Sequence, residues 1–156
     1  MLRATAGCRL FIGAEGLHPS GSGPVLPDLS GVSWVEIGRM EALGSLGVEW
    51  STVDMGHIGD GGLDRVAKSR RSAAAMEIAM GLDDADPGQR KLIEAAESHL
   101  DFGFRLAFGD RPGDASRLWA AAVTSLTEAY DQAGSVLKRL GVLRINSLVR
   151  RGGTGS

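Results

Sequence analysis

Three histidines, His18, His57 and His99, are the first residues to test for chemistry. They fall in a proline-rich stretch, a glycine-rich stretch and a predicted helix end. No His-x-x-x-His pair or His/Asp cluster joins them, and metal ligands must converge. Asp83, Asp84 and Asp86 are crowded but lack the spacing and late Glu of a calcium loop; Asp86 is better used as a helix cap. Gly59-Asp60-Gly61-Gly62 resembles a phosphate cradle without its Gly-Lys-Ser/Thr ending, and it reads as a mobile connection between strands. Cys8 lies in an apolar run and reads as a packed thiol rather than a nucleophile. Ser147 has no histidine near it in sequence to activate it. The pairs Arg70-Arg71 and Arg150-Arg151 read as solvated or subunit-bridging charges on a chain of net charge −2. Trp34, Trp50, Phe102, Phe104, Phe108 and Trp119 fall in predicted strands as core, not beside basic residues as a base-stacking platform. The expectation is therefore a protein with no catalytic, cofactor-binding or metal-binding residues, and not an enzyme.

The elements that would position these residues form one domain of 156 residues with an ordinary 43% apolar and 23% charged content. The 23 glycines are about twice the common share, which favours a turn-rich β-protein. One cysteine excludes an intrachain disulfide framework and a cysteine-based zinc site. No apolar run of about 18 residues is present to span a membrane. Met1 to Gly7 does not read as a secretory leader, so synthesis and assembly in the cytoplasm are expected.

Period-two alternation predicts strands over Cys8–Gly13, Val32–Ile37, Leu46–Asp54, Val66–Leu82, Phe102–Phe108, Arg117–Glu128 and Val136–Ser147. Met76, Ile78 and Met80 point one way in the fourth of these and Ala75, Glu77 and Ala79 the other. Residues 14–30, with Pro19, Pro24 and Pro27, read as an extended arm. Asp86-Pro87-Gly88-Gln89 supplies an N-cap, a first-position proline and a glutamine three residues after the cap. It opens one helix over 87–99 with an apolar stripe of Leu92, Ile93, Ala96 and Leu100. Residues 150–156 read as a flexible tail after a single domain of 1–149.

The ordered pieces Val-Ser-Trp-Val-Glu-Ile-Gly (Val32 to Gly38), Leu-Gly-Ser-Leu-Gly (Leu43 to Gly47), His-Ile-Gly-Asp-Gly (His57 to Gly61) and Ser69-Arg70-Arg71-Ser72-Ala73 to Gly81 are followed by Asp86-Pro87-Gly88-Gln89, Phe104-Arg105-Leu106 to Phe108, and Ser135-Val136 to Ser147. Together they resemble the major tail tube protein of long-tailed, siphovirus-like bacteriophages with non-contractile tails, and of gene transfer agents. The resemblance spans Cys8 to Val149 and implies a mainly β sandwich or barrel with one flanking helix. It implies homohexameric rings whose inner sheets join into a β-barrel, and rings stacked into a tail tube in the virion. Double-stranded DNA would pass through the tube without sequence-specific binding or membrane insertion. The implied partners are further copies of the chain and tape-measure, tail-tip and tail-terminator proteins.

Open sheet edges invite strand addition, and a closed ring removes them as a barrel does. Head-to-tail contacts that repeat along an axis make a tube. Residues 55–65 have the length and glycines to reach a neighbouring ring, which makes Met55, His57, Ile58, Asp60, Leu63 and Asp64 candidates for an inter-ring loop. Lys and Arg grip phosphates, so a DNA conduit is expected to be lined by small, polar and acidic residues. Glu49, Ser51, Ala73, Ala75 and Glu77 are the lumen candidates, on one alternation face of the two middle strands. The alternative from another class is a small β-domain that binds a ligand or partner as a monomer or dimer. A hydrolase with a site scattered through the loops is weaker still.

Overall fold

A computed structural model describes residues 7–17, 32–54, 66–73, 75–109 and 115–152. Ten strands and one helix follow in the order β1 (Arg9–Leu17), β2 (Trp34–Ile37), β3 (Met40–Ala42), β4 (Val48–Asp54), β5 (Val66–Ala73), β6 (Ala75–Gly81), α1 (Pro87–Glu97), β7 (Asp101–Ala107), β8 (Ser116–Ala129), β9 (Lys138–Ile145) and β10 (Arg150–Gly152). The expected class, mainly β with one helix, is the observed one.

Eight strands form one antiparallel sheet in the order β2-β1-β7-β8-β9-β6-β3, with β10 beside β8. Its two terminal strands, β2 and β3, are separated in sequence only by Gly38 and Arg39. Three chain steps from Ile37 to Met40 span at most about 11 Å, so the sheet must roll until its ends meet. Arg39 makes the crossing at φ 63, a left-handed conformation uncommon for a side-chain-bearing residue. The rolled sheet encloses Leu10, Ile12, Met76, Met80, Phe104, Trp119 and Leu143. Phe104 and Trp119 stack there with centroids 6.0 Å apart.

α1 packs against β8, β2 and β1. Its buried face is Gly88, Gln89, Leu92 and Ala95, turned from the expected Leu92–Ile93–Ala96–Leu100 stripe. Gly88 decides this: a Cβ there would run into the Glu36 carbonyl and the Ile37 backbone, so only glycine lets the helix start lie against β2. The helix ends at Glu97 rather than at 99, because Ser98 caps it in an extended conformation.

Four expectations need correction. The stretch Val66–Leu82 is two strands, β5 and β6, in different sheets. β1 runs on to Leu17, into the expected arm, because a register shift after Ile12 lets Gly16 and Leu17 pair with Phe102 and Asp101. β3, unforeseen, is three residues long and pairs with β6. The expected flexible tail begins as β10, because the first half of β8 offers an edge to Arg150, Arg151 and Gly152.

Candidate functional site

The start of α1 is a buried polar junction. The Asp86 carboxylate accepts from Gln89 N and from Gly38 N, each at 3.0 Å. The expected reciprocal capping box does not close, because the Gln89 side chain is used elsewhere. Its Nε2 donates to Gly81 O (2.8 Å) and Gly38 O (3.2 Å), and its Oε1 accepts from Asp83 N (3.1 Å) and Arg139 Nη1 (2.7 Å). Both of its donors and both lone pairs are thus used. Arg139, whose side chain is 2% exposed, occupies an inward position of β9 otherwise filled by Gly141, Leu143 and Ile145. Its Nη2 donates to Asp84 (2.9 Å) and Glu128 (3.2 Å), so the buried cation meets two carboxylates. A bond from the Tyr130 hydroxyl (2.5 Å), followed by that from Arg139, holds the Glu128 carboxyl below its ordinary value. The same bond pushes the Tyr130 phenol up.

Of the residues first considered for chemistry, Asp86 and Ser147 have other work, and His18, His57 and Gly59–Gly62 lie outside the described residues. Ser147 Oγ accepts from Ala120 N (2.8 Å) and donates to Leu148 O (3.0 Å), holding the bend between β9 and β10 against β8. Among the described residues no three His, Cys, Asp or Glu side chains converge on a metal-sized point. No helix among them is long and apolar enough to cross a membrane.

The more unusual features are edges and an arm. β8 is 14 residues long. Its first half pairs with β7 up to Ala121, and its second half pairs only with β9 on the opposite side. Among the described residues no strand covers the β7 side of β8 beyond Ala121. On the far border, β3 pairs with β6 and β4 with β5, and no described strand covers the other side of either. Because β3 runs into β4 and β5 runs into β6, these four make one long hairpin. Beside β9 and the second half of β8, β6 and β3 complete a four-strand strip, and among the described residues no strand covers either outer border.

One end of that hairpin, the β4–β5 ribbon, forms a separate two-stranded sheet. Trp50, Val53 and Val66 are exposed on it, and the Lys68 ammonium lies 5.2 Å from the Trp50 ring centroid.

The five expected lumen residues are divided between two sheets. Ala75 and Glu77 stand together on the outer face of β6, opposite Met76, Ile78 and Met80. Glu49 and Ser51 are exposed in the ribbon. Ala73 pairs with Val48 and Glu49 with Ser72, in a sheet separate from the one that holds β6. A register shift between Trp50 and Thr52 changes the phase at Ser51. Met55, His57, Ile58, Asp60, Leu63 and Asp64 lie outside the described residues.

The outer face that carries Glu77 continues through residues not singled out from sequence. Glu77 pairs with Val142 and Ala79 with Leu140, which pair in turn with Ser125 and Thr127. These residues line an open groove of about 480 Å³ whose rim includes Ala42 and Gly44. Gly44, at φ 63, lies against the Glu77 backbone, where a Cβ would meet the Glu77 carbonyl. The signal was present in β9, where Leu140, Val142 and Arg144 alternate with Arg139, Gly141 and Leu143. Both sets mix charge with apolar bulk, so period alone does not select the inner one.

No family model and no curated protein sequence matches the chain. Solved structures do. A chain of the 6-fold symmetrised anti-feeding prophage baseplate superposes with a TM-score of 0.70 at 12% identity, covering 100% of this chain and 99% of that one. The SPP1 tail tube gives 0.69 at 10% identity over 97% and 80%. The extended sheath-tube complex of an extracellular contractile injection system, PVC, gives 0.65 at 11% over 98% and 93%. The fold is tail-tube-like. The likeness extends to contractile systems as well as to a tail tube, so it does not single out non-contractile tails or gene transfer agents.

Proposed function

We propose that this chain is a tube-forming structural subunit of a phage-like tail, whose copies close into a hexameric ring by strand addition and whose rings stack around a channel. One observation carries the reading: among the described residues the strip β3–β6–β9–β8 has an open border on each side. Unpaired borders of this kind aggregate unless they are used. Adding the β3–β4 border of one copy to the second half of β8 in the next is heterologous, and it closes once the rotation completes a turn. The superposition over nearly whole chains of tube and baseplate assemblies supports the same reading.

In such a ring the outer face of the strip turns to the channel. Its charged residues include Glu77 on β6 and Arg144 and Lys138 on β9, the last paired with Glu41 of β3, among Ala75, Ala79, Ser125, Thr127, Leu140 and Val142. On these strands the cations Arg144, diagonal to Glu77, and Lys138, paired with Glu41, are offset by carboxylates among small and polar residues. Few cations face the channel, so double-stranded DNA would be conducted without being held. Glu77→Lys is then expected to slow DNA passage while leaving assembly intact; unchanged infectivity would refute the channel assignment. Tape-measure, tail-tip and tail-terminator proteins are the further partners this role requires.

Electron microscopy of the purified chain, with light scattering across a concentration series, tests the reading. Rings or tubes are expected. A chain that stays monomeric or dimeric at high concentration would overturn it in favour of a small β-domain that binds a ligand or partner.

A further inference from the structure

The two borders of the strip that no described strand covers are joined by one run of side-chain bonds. At the β3 border, Gly38 and Arg39 lead into the strand, and Gly81 ends β6 beside them, its N–H donating to Arg39 O (2.8 Å). The fully buried Gln89 ties these two ends together, because its Nε2 donates to both the Gly38 and the Gly81 carbonyl. Its Oε1 accepts from Arg139 Nη1, and Arg139 Nη2 donates to Glu128. Glu128 stands on the second half of β8, where no described strand covers the β7 side. A carboxylate at one border is thus connected to the base of the strand at the other. The β3 end is strained and lightly held. β3 is three residues long and meets β6 at two pairs, with a register shift between them. Arg39 enters it at φ 63, and a side-chain-bearing residue keeps that conformation only where its surroundings impose it. Here Gly38 N donates to Asp86 and Gly38 O accepts from Gln89. At the other end, the carboxylates that answer the buried Arg139 are open to water: Glu128 is 41% exposed and Asp84 76%.

We propose that this run of bonds is a coupling device within one subunit: the hold on Glu128 at the end of β8 sets how firmly β3 is seated on β6, and the seating of β3 acts back on Glu128 to the same degree. Its parts are a strained hinge at Arg39, a buried clamp at Gln89 and Arg139, and an exposed handle at Glu128. Its two states are β3 clamped through Gly38, as in the structure, and β3 loosened from β6 with Arg39 relaxed. Every donor and acceptor of Gln89 is used, so Arg139 cannot shift without leaving a buried polar group unanswered. That is what carries a change at the handle to the hinge. The use of the device, though not its test, rests on the tube reading. A strand added to β8 would fix Glu128 and ready the β3 border of the same copy for the next one, so that closure of a ring becomes cooperative.

Amide hydrogen exchange of the free chain tests the coupling. Glu128→Gln is expected to speed exchange of the Gly38 and Gly81 amides about fivefold, while amides of the β1–β7 ladder around Leu10 and Leu106 keep their rates. Glu94→Gln, which breaks the Lys91–Glu94 ion pair of α1, is expected to change neither set. Gln89→Met cuts the path in its middle, and in that background Glu128→Gln is expected to add no further change at Gly81. Unchanged rates at Gly38 and Gly81 in Glu128→Gln would overturn the proposal. So would a rise shared equally by the β1–β7 ladder, which marks a loss of overall stability, or a fivefold rise that persists in the Gln89→Met background. If Gln89→Met does not fold, Glu128→Gln set against Glu94→Gln decides. None of these results touches the tube reading, which the microscopy of the purified chain tests by itself.

Discussion

The junction at the start of α1 and the β4–β5 ribbon solve opposite problems with similar residues. At the junction an arginine, a glutamine and three aspartates are drawn together with each polar group answered, and the result locks α1, β2, β6, β8 and β9 to one another. On the ribbon, charged residues of both signs stand on a two-stranded sheet with an exposed tryptophan and two exposed valines. The first region gives the subunit a fixed shape; the second keeps apolar surface exposed. In the proposed tube both would be needed, since a rigid body transmits its geometry along the stack and an exposed apolar surface can supply a bond.

The sharpest way to break the contrast is Arg139→Met. It strips the buried cation from two carboxylates and leaves the Gln89 Oε1 with one partner fewer, and a loss of about 3 kcal/mol is expected in urea unfolding of the subunit. Deleting residues 150–156 removes the three-residue pairing of β10 with β8. That is expected to cost about 1 kcal/mol in the same measurement.

Acid reaches the same region more gently. Glu36, bonded to Arg9 at 2.6 Å, and Glu128, bonded to Tyr130, are both held below the ordinary carboxylate value of 4.5. A carboxyl whose value is lowered by folding adds stability above its unfolded value and loses it as pH falls through the folded one. Melting temperature is therefore expected to decline below about pH 4.5, and Glu128→Gln to flatten part of that decline. Smallest on stability is Trp50→Ser in the ribbon, where a change within about 0.5 kcal/mol is expected. The same variant is expected to weaken stacking in sedimentation, which would confirm that the ribbon serves the assembly rather than the fold. A large loss of subunit stability from Trp50→Ser would erase the distinction between the two regions.

Much of this was legible in the residues. β6 and β7 follow from alternation because one of their faces is filled with Met, Ile, Leu and Phe. The helix start follows from Asp86 and Pro87, since a cap is a local device. The short strands β3 and β10 escaped because three residues carry no period, and both exist only because a neighbouring edge was available. The lumen candidates were drawn from one alternation face, and the register shift at Ser51 together with the break between β5 and β6 divided them between two sheets.

By itself the sequence determined what chain-local forces can encode: which segments are extended, where the helix begins, and that Met76, Ile78 and Met80 face one way. Tertiary structure alone decided that β2 and β3 meet at Gly38 and Arg39, that Gln89 serves four partners rather than its own cap, and that the second half of β8 keeps an edge no described strand covers. These depend on distances between residues far apart in the chain, and backbone hydrogen bonds carry no sequence label to say which edge will find which.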